Sequence, residues 1–170
     1  MMRSLFAILV MTVFTSLSAQ GQPELEKRSL RGLKGITVLI ENIDKDVEKN
    51  GLTLSQLRTD TELKLRKAGI PVVPLVDALK NPNVGTLHIS VTGQPISDPD
   101  GLYLFNAIME VLQNVKLVRD PSITLYSVTT YEKSTCATVG AGHIRDDVRN
   151  AIADYVDVFI NDYLAMNPKP

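Results

Sequence analysis

The chain has 170 residues, with 18 Lys and Arg against 19 Asp and Glu and a formal net charge of −1. This balance provides no basic excess of the kind that draws a protein to nucleic acid or to an acidic membrane surface. A single cysteine cannot form an internal disulfide, so the fold must be stabilised by a hydrophobic core.

The first 21 residues have the pattern of a secretory signal peptide. Arg3 precedes an apolar run from Leu5 to Phe14, and small and polar residues follow. The run is about ten residues, whereas a bilayer-spanning helix needs ~20, so the pattern favours a cleaved signal over an anchor. Cleavage after Ala19 and cleavage after Gly21 both fit. We expect an exported mature chain with no stable membrane anchor.

What remains is long enough for one domain. Residues 22–34 are polar and charged and are interpreted as a lead-in segment. A single domain is expected over 35–166, with a short tail at 167–170. The domain begins with GITVLIENI, whose alternation predicts a strand that is partly covered on both faces.

A well-marked helix follows the first strand. Thr53 is its expected N-cap, and Gln56 three residues later completes a capping box. Gly69 occupies the position of a left-handed C′ residue, where Ile70 can contact the last turn, and Pro71 stops the helix. The inward stripe is expected to comprise Leu54, Leu57, Thr61, Leu65 and Ala68.

Two further strands are predicted in the middle of the chain. The stretch IPVVPLVDAL is interpreted as a short edge strand interrupted by Pro74. The stretch TLHISVTG alternates, with Leu87, Ile89 and Val91 directed inward and His88 outward. A loop rich in Pro, Asp and Gly follows it.

Residues 102–118 fit either a strand or a helix over Ile108 to Leu117. We favour a long strand because RDPS has the chemistry of a turn and ITLYSVTTYEKS after it is strongly β-forming. The two strands would form a hairpin over 102–132 with Pro121 within the turn.

The chain closes with a second amphipathic helix, which NPKP ends. Its apolar positions recur at helical spacing: Ile144, Val148, Ile152, Tyr155, Val156, Phe159, Ile160 and Tyr163. Strands followed by such helices predict one two-layer α+β domain, with a mainly antiparallel sheet and two amphipathic helices packed on one face.

The runs LRGLKGITVLIENI, GLTLSQLRTDTELKLRKAGIPVV, TLHISVT and FINDYLAMNP resemble an uncharacterised family of short exported bacterial proteins. The element order is also similar to the amino-terminal domain of the Tol-system β-propeller protein and to the periplasmic domain of the curli-secretion channel. The resemblance implies an accessory role in the cell envelope through protein contacts. This chain lacks a lipobox and a propeller, so neither membrane attachment nor a Tol role is implied.

The stretch STCATVGAGHIRDDV is the first candidate for chemistry. Gly140 and Gly142 lack the third glycine of a dinucleotide loop, and no Gly-Lys-Ser/Thr follows. Cys136 and His143 lie seven residues apart, a spacing compatible with a nucleophile and its base, but no oxyanion-hole motif accompanies them. Burial is the expected state of Cys136; a free thiol and an intermolecular link are the alternatives.

Metal and ion sites are the second class of candidates. The strongest nitrogen and sulfur ligands are His88, His143 and Cys136, on separate elements and without the paired spacing of zinc sites. Asp98 and Asp100 lack the full pattern of a calcium loop and are expected to shape a turn.

The start of the last helix carries charges of both signs. Arg145 and Arg149 lie one turn apart and could bind an anion, although ion pairs of the helix explain them more simply. Asp146 and Asp147 suit the first turn, where the helix dipole favours negative charge.

The sequence therefore favours a non-enzymatic protein of the periplasm or cell envelope whose partner is an envelope or periplasmic protein. An open sheet edge or the hairpin 102–132 is the expected contact surface. No catalytic residue, cofactor or metal ligand is assigned. The alternatives are a small-ligand or metal binder using the loop 93–101 or His88, and a thiol-dependent enzyme using Cys136 and His143.

Overall fold

The computed structural model describes residues 21–41, 43–96, 101–140 and 142–168. The predicted signal peptide up to residue 20 and the candidate calcium ligands Asp98 and Asp100 lie outside the described residues. The elements are α1 Gly21–Ser29, β1 Gly35–Ile40, α2 Lys45–Lys49, α3 Leu54–Lys67, α4 Leu75–Ala78, β2 Val84–Pro95, β3 Leu102–Leu117, β4 Asp120–Gly140 and α5 Ile144–Met166.

Four strands form one sheet in the order β1-β2-β3-β4. β1 pairs with β2 in parallel, with Gly35 opposite Val84, whereas β2–β3 and β3–β4 are antiparallel. The long helices α3 and α5 pack on one face of this sheet and on each other. The predicted fold class, a single α+β domain with a mainly antiparallel sheet, is confirmed.

The core lies between the sheet and these helices. Alternation along β2 buries Leu87, Ile89 and Val91, as predicted, and leaves the intervening side chains on the opposite face, which we call the open face. The apolar stripe of α5 covers the buried side, where Phe159 packs edge-on against Tyr131 with ring centroids 5.9 Å apart. Burial of this apolar surface is the main stabilising contribution.

The predicted ends of α3 are confirmed. The Gln56 N–H donates to Thr53 Oγ1 and the Thr53 N–H donates to Gln56 Oε1, each at 3.2 Å, which completes the capping box. Gly69 has φ +76°, and the Ile70 N–H donates to the Leu65 carbonyl at 3.0 Å, as in a Schellman motif. The side chains of the predicted stripe are buried or half-buried against the core.

The strand predicted over IPVVPLVDAL is wrong beyond its first residues. Only Val72 forms a bridge, in parallel with Ile36 of β1. Pro74 then becomes the N-cap of α4. A proline lacks the N–H that a further ladder bond needs, while its fixed φ is compatible with the beginning of a helix.

The predicted hairpin is confirmed, but its turn is displaced. Residues Val118 and Arg119 form a two-residue connection, and Leu117 pairs with Asp120. Pro121, which the sequence placed within the turn, is the second residue of β4. The irregular register next to this pair accommodates a proline that cannot donate a ladder bond.

The segment 22–34 is more ordered than its polar composition indicates. It contains most of α1, which lies against β4 and α5, followed by two buried leucines, Leu30 and Leu33. The Tyr163 hydroxyl donates to the Leu33 carbonyl at 2.8 Å, and the Asn167 side-chain amide donates to the Leu30 carbonyl at 2.9 Å. These contacts fasten the segment to the end of α5.

Candidate functional site

The outer edge of β4 is the most open backbone surface in the described part of the chain. β4 is the last strand of the sheet, and no other described strand pairs with its outer side. The opposite edge of the sheet is partly occupied, because the Ile36 N–H donates to the Pro71 carbonyl and the Val73 N–H donates to the Ile36 carbonyl.

The register shows which backbone groups of β4 face outward. The Ile96 N–H donates to the Leu102 carbonyl at 2.8 Å, so the backbone of Leu102, and of every second residue after it, is directed toward β2. The intervening β3 residues are therefore directed toward β4 and bond their partners there, such as Thr135 opposite Ala107. The remaining β4 residues direct their N–H and C=O groups outward: Glu132, Ser134, Cys136 and Thr138.

This outward-facing run lacks the devices that usually protect an edge strand. Edges are commonly blunted by prolines, bulges or projecting lysines. The run has no proline, and Lys133 folds back, with its Nζ 4.4 Å from the centre of the Tyr131 ring and 3.8 Å from Glu26 Oε2. Two carbonyls at the start of this run are already bonded. Lys133 Nζ donates to the Glu132 carbonyl at 2.9 Å, and Ser29 Oγ donates to the Thr130 carbonyl at 3.1 Å, at the register shift. No described strand or helix pairs with the outer backbone groups of Ser134, Cys136 and Thr138, so within the described residues this part of the edge is free to pair.

A shallow depression of about 220 Å³ adjoins this edge on the open face. Its surface is more apolar than polar and is lined by Asp44, Thr92, Gly93, Gln94, Leu104, Asn106 and Cys136. Asp44 Oδ2 accepts a hydrogen bond from the Gly93 N–H at 2.8 Å, which holds the carboxylate at the rim. The depression is large enough for one side chain rather than for a cofactor.

Cys136 is exposed, so the expectation that it is buried is wrong. It lies opposite Asn106 on the open face, and no helix covers that side of β4. His143 is exposed and is the N-cap of α5, next to Gly140. Gly140 lies four residue steps after Cys136, about 13 Å along β4, and no hydrogen bond joins the thiol to His143. The structure does not assemble them as a nucleophile and its base.

His88 lies on the open face between two carboxylates. Its Nδ1 is 3.1 Å from Glu110 Oε2, its cross-strand partner, and its Nε2 is 3.6 Å from Glu41 Oε2. Cys136 lies opposite Asn106, four residues before Glu110 on β3, so the predicted nitrogen and sulfur ligands are not brought together. Among the described residues, no group of three or more His, Cys, Asp or Glu could hold a metal ion.

The charges at the start of α5 form ion pairs, as the sequence favoured. Arg145 Nε donates to Asp146 Oδ1 at 2.8 Å, and Arg149 binds Asp60 of α3 through two nitrogens. These pairs lower the pKa of Asp146 and raise the pKa of Arg149. Asp146 and Asp147 lie in the first turn, where the dipole favours them. Arg149 therefore links two helices rather than offering a site for an anion.

The sequence predicted an open edge or the hairpin as the contact surface without identifying the residues of that surface. A strand such as ITLYSVTTYEKS has two hydrogen-bonding edges. Which edge is bonded to a neighbour depends on the order of strands in the sheet, and that order is set by contacts distant in sequence. A signal for the free run is nonetheless present, because the segment 132–138, EKSTCAT, combines small and β-branched residues with no proline.

No family model matches the chain, and no curated protein matches it. Several solved structures are similar to it, and three of them illustrate the likeness. A minor lipoprotein from Acinetobacter baumannii is 9% identical, with a TM-score of 0.41 over 82% of this chain and 99% of that one. The PelC dodecamer from Paraburkholderia phytofirmans is 12% identical, with a TM-score of 0.41 over 73% and 86%.

The third is a homolog of the neuraminyllactose-binding hemagglutinin from Helicobacter pylori. It is 13% identical, with a TM-score of 0.45 over 86% of this chain and 89% of that one. None of the three is a Tol or curli protein, so the topological resemblance to those systems stays a prediction. Likenesses this weak transfer no activity, ligand or assembly to this chain.

Proposed function

We propose that the protein is an exported, non-enzymatic envelope protein that binds an extended segment of another envelope protein along the free edge of β4. The incoming segment adds a fifth strand to the sheet by pairing with residues 132–138. The observation that carries this proposal is the outward-facing run of backbone N–H and C=O groups at Glu132, Ser134, Cys136 and Thr138. Strand addition to an exposed edge is a recurring mode of peptide recognition.

The hydrogen bonds of this edge supply affinity that is independent of sequence. Four outward-facing residues offer four N–H and four C=O groups, of which the Glu132 carbonyl is already bonded to Lys133. A net contribution of ~0.5–1.5 kcal/mol for each bond gives roughly 4–10 kcal/mol for the remaining seven groups. Micromolar binding requires about 8 kcal/mol after the cost of association, so side chains of the partner must add to the backbone pairing.

The depression beside Cys136 supplies the specificity in this proposal. Side chains of an added strand alternate between the two faces, and those on the open face pass next to Ser134, Cys136 and Thr138. A partner side chain opposite Cys136 enters the end of the depression that Cys136 and Asn106 line.

The test is a cross-linked pull-down with the mature protein from its native envelope fraction, using Ser134→Pro and the matched control Ser134→Ala. The Ser134 N–H faces outward, so proline removes a donor to the incoming strand without breaking a bond to β3. We expect the Pro variant to lose the captured partner and the Ala variant to retain it, while both keep the circular dichroism spectrum of the unmodified protein.

Equal capture by Ser134→Pro and the unmodified protein contradicts strand addition at this edge. Cys136→Ala serves as a third arm of the experiment, because it removes the thiol and leaves the backbone unchanged. Retained capture with Cys136→Ala supports pairing through the backbone. Loss of capture with Cys136→Ala alone contradicts the proposal and favours a thiol-dependent role for that residue.

A further inference from the structure

The hairpin of β3 and β4 extends beyond the rest of the sheet. Pairing between β2 and β3 stops at Thr86 and Leu112, whereas β3 and β4 continue as a two-stranded ribbon. We call residues 113–128 the arm. Its exposed apolar side chains are Val118, Ile123, Leu125 and Tyr126, of which Val118 is 98% and Tyr126 74% exposed. Few water-soluble surfaces leave such side chains uncovered in a group.

A second exposed apolar group lies at the same end of the molecule, where β1 and β2 begin. It consists of α4 residues Leu75 and Val76 and of Leu79, which is 79% exposed. α4 contacts β1 and β2, and the turn after it leads directly into Val84 at the start of β2. We call this end, including the arm, the arm end. Seven of the eleven exposed large apolar side chains of the described residues therefore lie at one end of the protein.

The arm end is also strongly basic. Residues 31–34 immediately precede β1, and the segment that follows α3 reaches the start of β1, where Val72 forms a bridge with Ile36. The end of α1 lies beside the arm, because the Ser29 hydroxyl donates to the Thr130 carbonyl. These elements and the arm place seven exposed cations at this end: Arg28, Arg31, Lys34, Lys67, Lys80, Lys116 and Arg119. None of the seven forms an ion pair within the described residues.

Two exposed acids, Asp77 and Asp120, accompany these cations. The Asp120 carboxylate accepts hydrogen bonds from the backbone and hydroxyl of Ser122, which lower its pKa, so the acid is held within its own turn. The net charge of −1 for the whole chain thus conceals a basic end. A surface that combines apolar and basic residues is complementary to negatively charged headgroups above a hydrocarbon layer.

We propose that the arm end docks on an anionic lipid bilayer, with the tip of the arm inserted among the headgroups. This inference goes beyond strand addition at β4, since it concerns the opposite end of that strand and a different class of partner.

The dimensions of the arm fit this arrangement. Val118 lies five residue steps after Gln113, which is about 17 Å along an antiparallel strand. The tip can enter the headgroup layer while the cations at the start of β1 and β2 stay within roughly one Debye length, ~8–10 Å, of its surface. The arm has two open edges and four paired positions, so we place its tip among the headgroups, where water and phosphate can bond the free backbone groups, and not in the hydrocarbon. Tyr126 is a residue type that favours the boundary between water and lipid.

The test is co-sedimentation of the mature protein with two kinds of vesicle, one of phosphatidylcholine alone and one that also contains phosphatidylglycerol. About 30 mol% phosphatidylglycerol, roughly one anionic lipid in three, provides the negatively charged surface. We expect binding to the anionic vesicles only, weakening as salt is raised. Each basic residue near such a surface is worth about fivefold in binding, so Lys116→Glu/Arg119→Glu should weaken it at least ~25-fold. The matched control Lys45→Glu/Arg58→Glu makes the same charge change away from the arm end and should leave binding unchanged.

A second pair of side chains separates insertion from simple charge attraction. Val118→Ser/Tyr126→Ser keeps every charge, and we expect it to weaken vesicle binding at least ~10-fold because it removes the apolar tip. Equal binding to neutral and anionic vesicles, or equal losses in the arm and control variants, would overturn the proposal. Concentration-dependent dimers that dissociate in the arm variants, without vesicle binding, would overturn it in favour of a second copy of the chain.

Both arm variants leave residues 132–138 unchanged, so the pull-down of Proposed function can be repeated with them. Retained capture of a protein partner together with lost vesicle binding shows that the two surfaces act separately. If Ser134→Pro loses the protein partner but still binds anionic vesicles, both proposals are supported. The failure of one proposal is therefore distinguishable from the failure of the other.

Discussion

Gly93 offers a sharp test of how α2 is held on the sheet. It is buried on the helix side of β2, and a Cβ added there would lie 2.6 Å from Val47 Cγ2 and 3.7 Å from Ile144 Cδ1. Ordinary carbon contacts begin near 3.5 Å, so Gly93→Ala must displace Val47, which is fully buried, by about 1 Å. The backbone of Gly93 is not in the left-handed region, so the expected cost is overpacking, ~1–3 kcal/mol of the free energy of unfolding.

The assay is urea unfolding followed by circular dichroism, applied to a double-mutant cycle. Val47→Ala removes the atoms that the new Cβ meets, so in that background the further cost of Gly93→Ala should fall below ~0.5 kcal/mol. Gly142→Ala is the control, because an added Cβ there has no neighbour within 4 Å; it should change stability by less than ~0.5 kcal/mol. The same loss from Gly93→Ala in both backgrounds would refute the packing argument.

Two further predictions concern single side chains. Thr53→Ala removes the acceptor of the α3 capping box and should lower the free energy of unfolding, measured by urea titration, by ~1 kcal/mol. The control Thr59→Ala, at an exposed position of the same helix, should cost much less, and equal losses would contradict the role of the cap. Burial, and then the hydrogen bond to Asp162, raise the pKa of Tyr131, so the stability from its neutral phenol is present below the unfolded pKa of about 10 and is lost as pH rises above it. Tyr131→Phe should therefore reduce the loss of unfolding free energy by up to ~1.4 kcal/mol per pH unit between pH 10 and 11. A smaller loss should remain from Tyr163, because burial also raises the pKa of that phenol. An unchanged dependence of the unfolding free energy on pH would contradict this prediction.

The elements with local signals were predictable from sequence. Thr53, Gln56 and Gly69 mark both ends of α3 through contacts a few residues apart. The alternation over 86–92 likewise specifies the buried face of β2, because a strand with one covered face has a period of two. For both elements the decisive interactions are near in sequence or set by a simple period.

The features that escaped prediction depend on contacts distant in sequence. The polar helix α1 is held by β4 and α5, more than 100 residues away, and its own composition gives little indication of burial. Cys136 lies among small residues on both faces of its strand, so STCATVG does not distinguish the exposed side from the buried one. The arm exists because β2 begins at Val84, and no residue within β3 indicates where its neighbour starts.

The two edges of the sheet also differ in how far they permit assembly. Beside β1, residues 71–73 occupy the start of the outer edge and leave Val38 to Ile40, a run too short to recruit a strand firmly. Of the described strands, only β4 offers an edge that can be extended. A strand added there becomes the new end of the sheet, and two copies that paired through β4 would each use the open edge that the described residues provide. Pairing of this kind closes on itself and does not propagate into fibres.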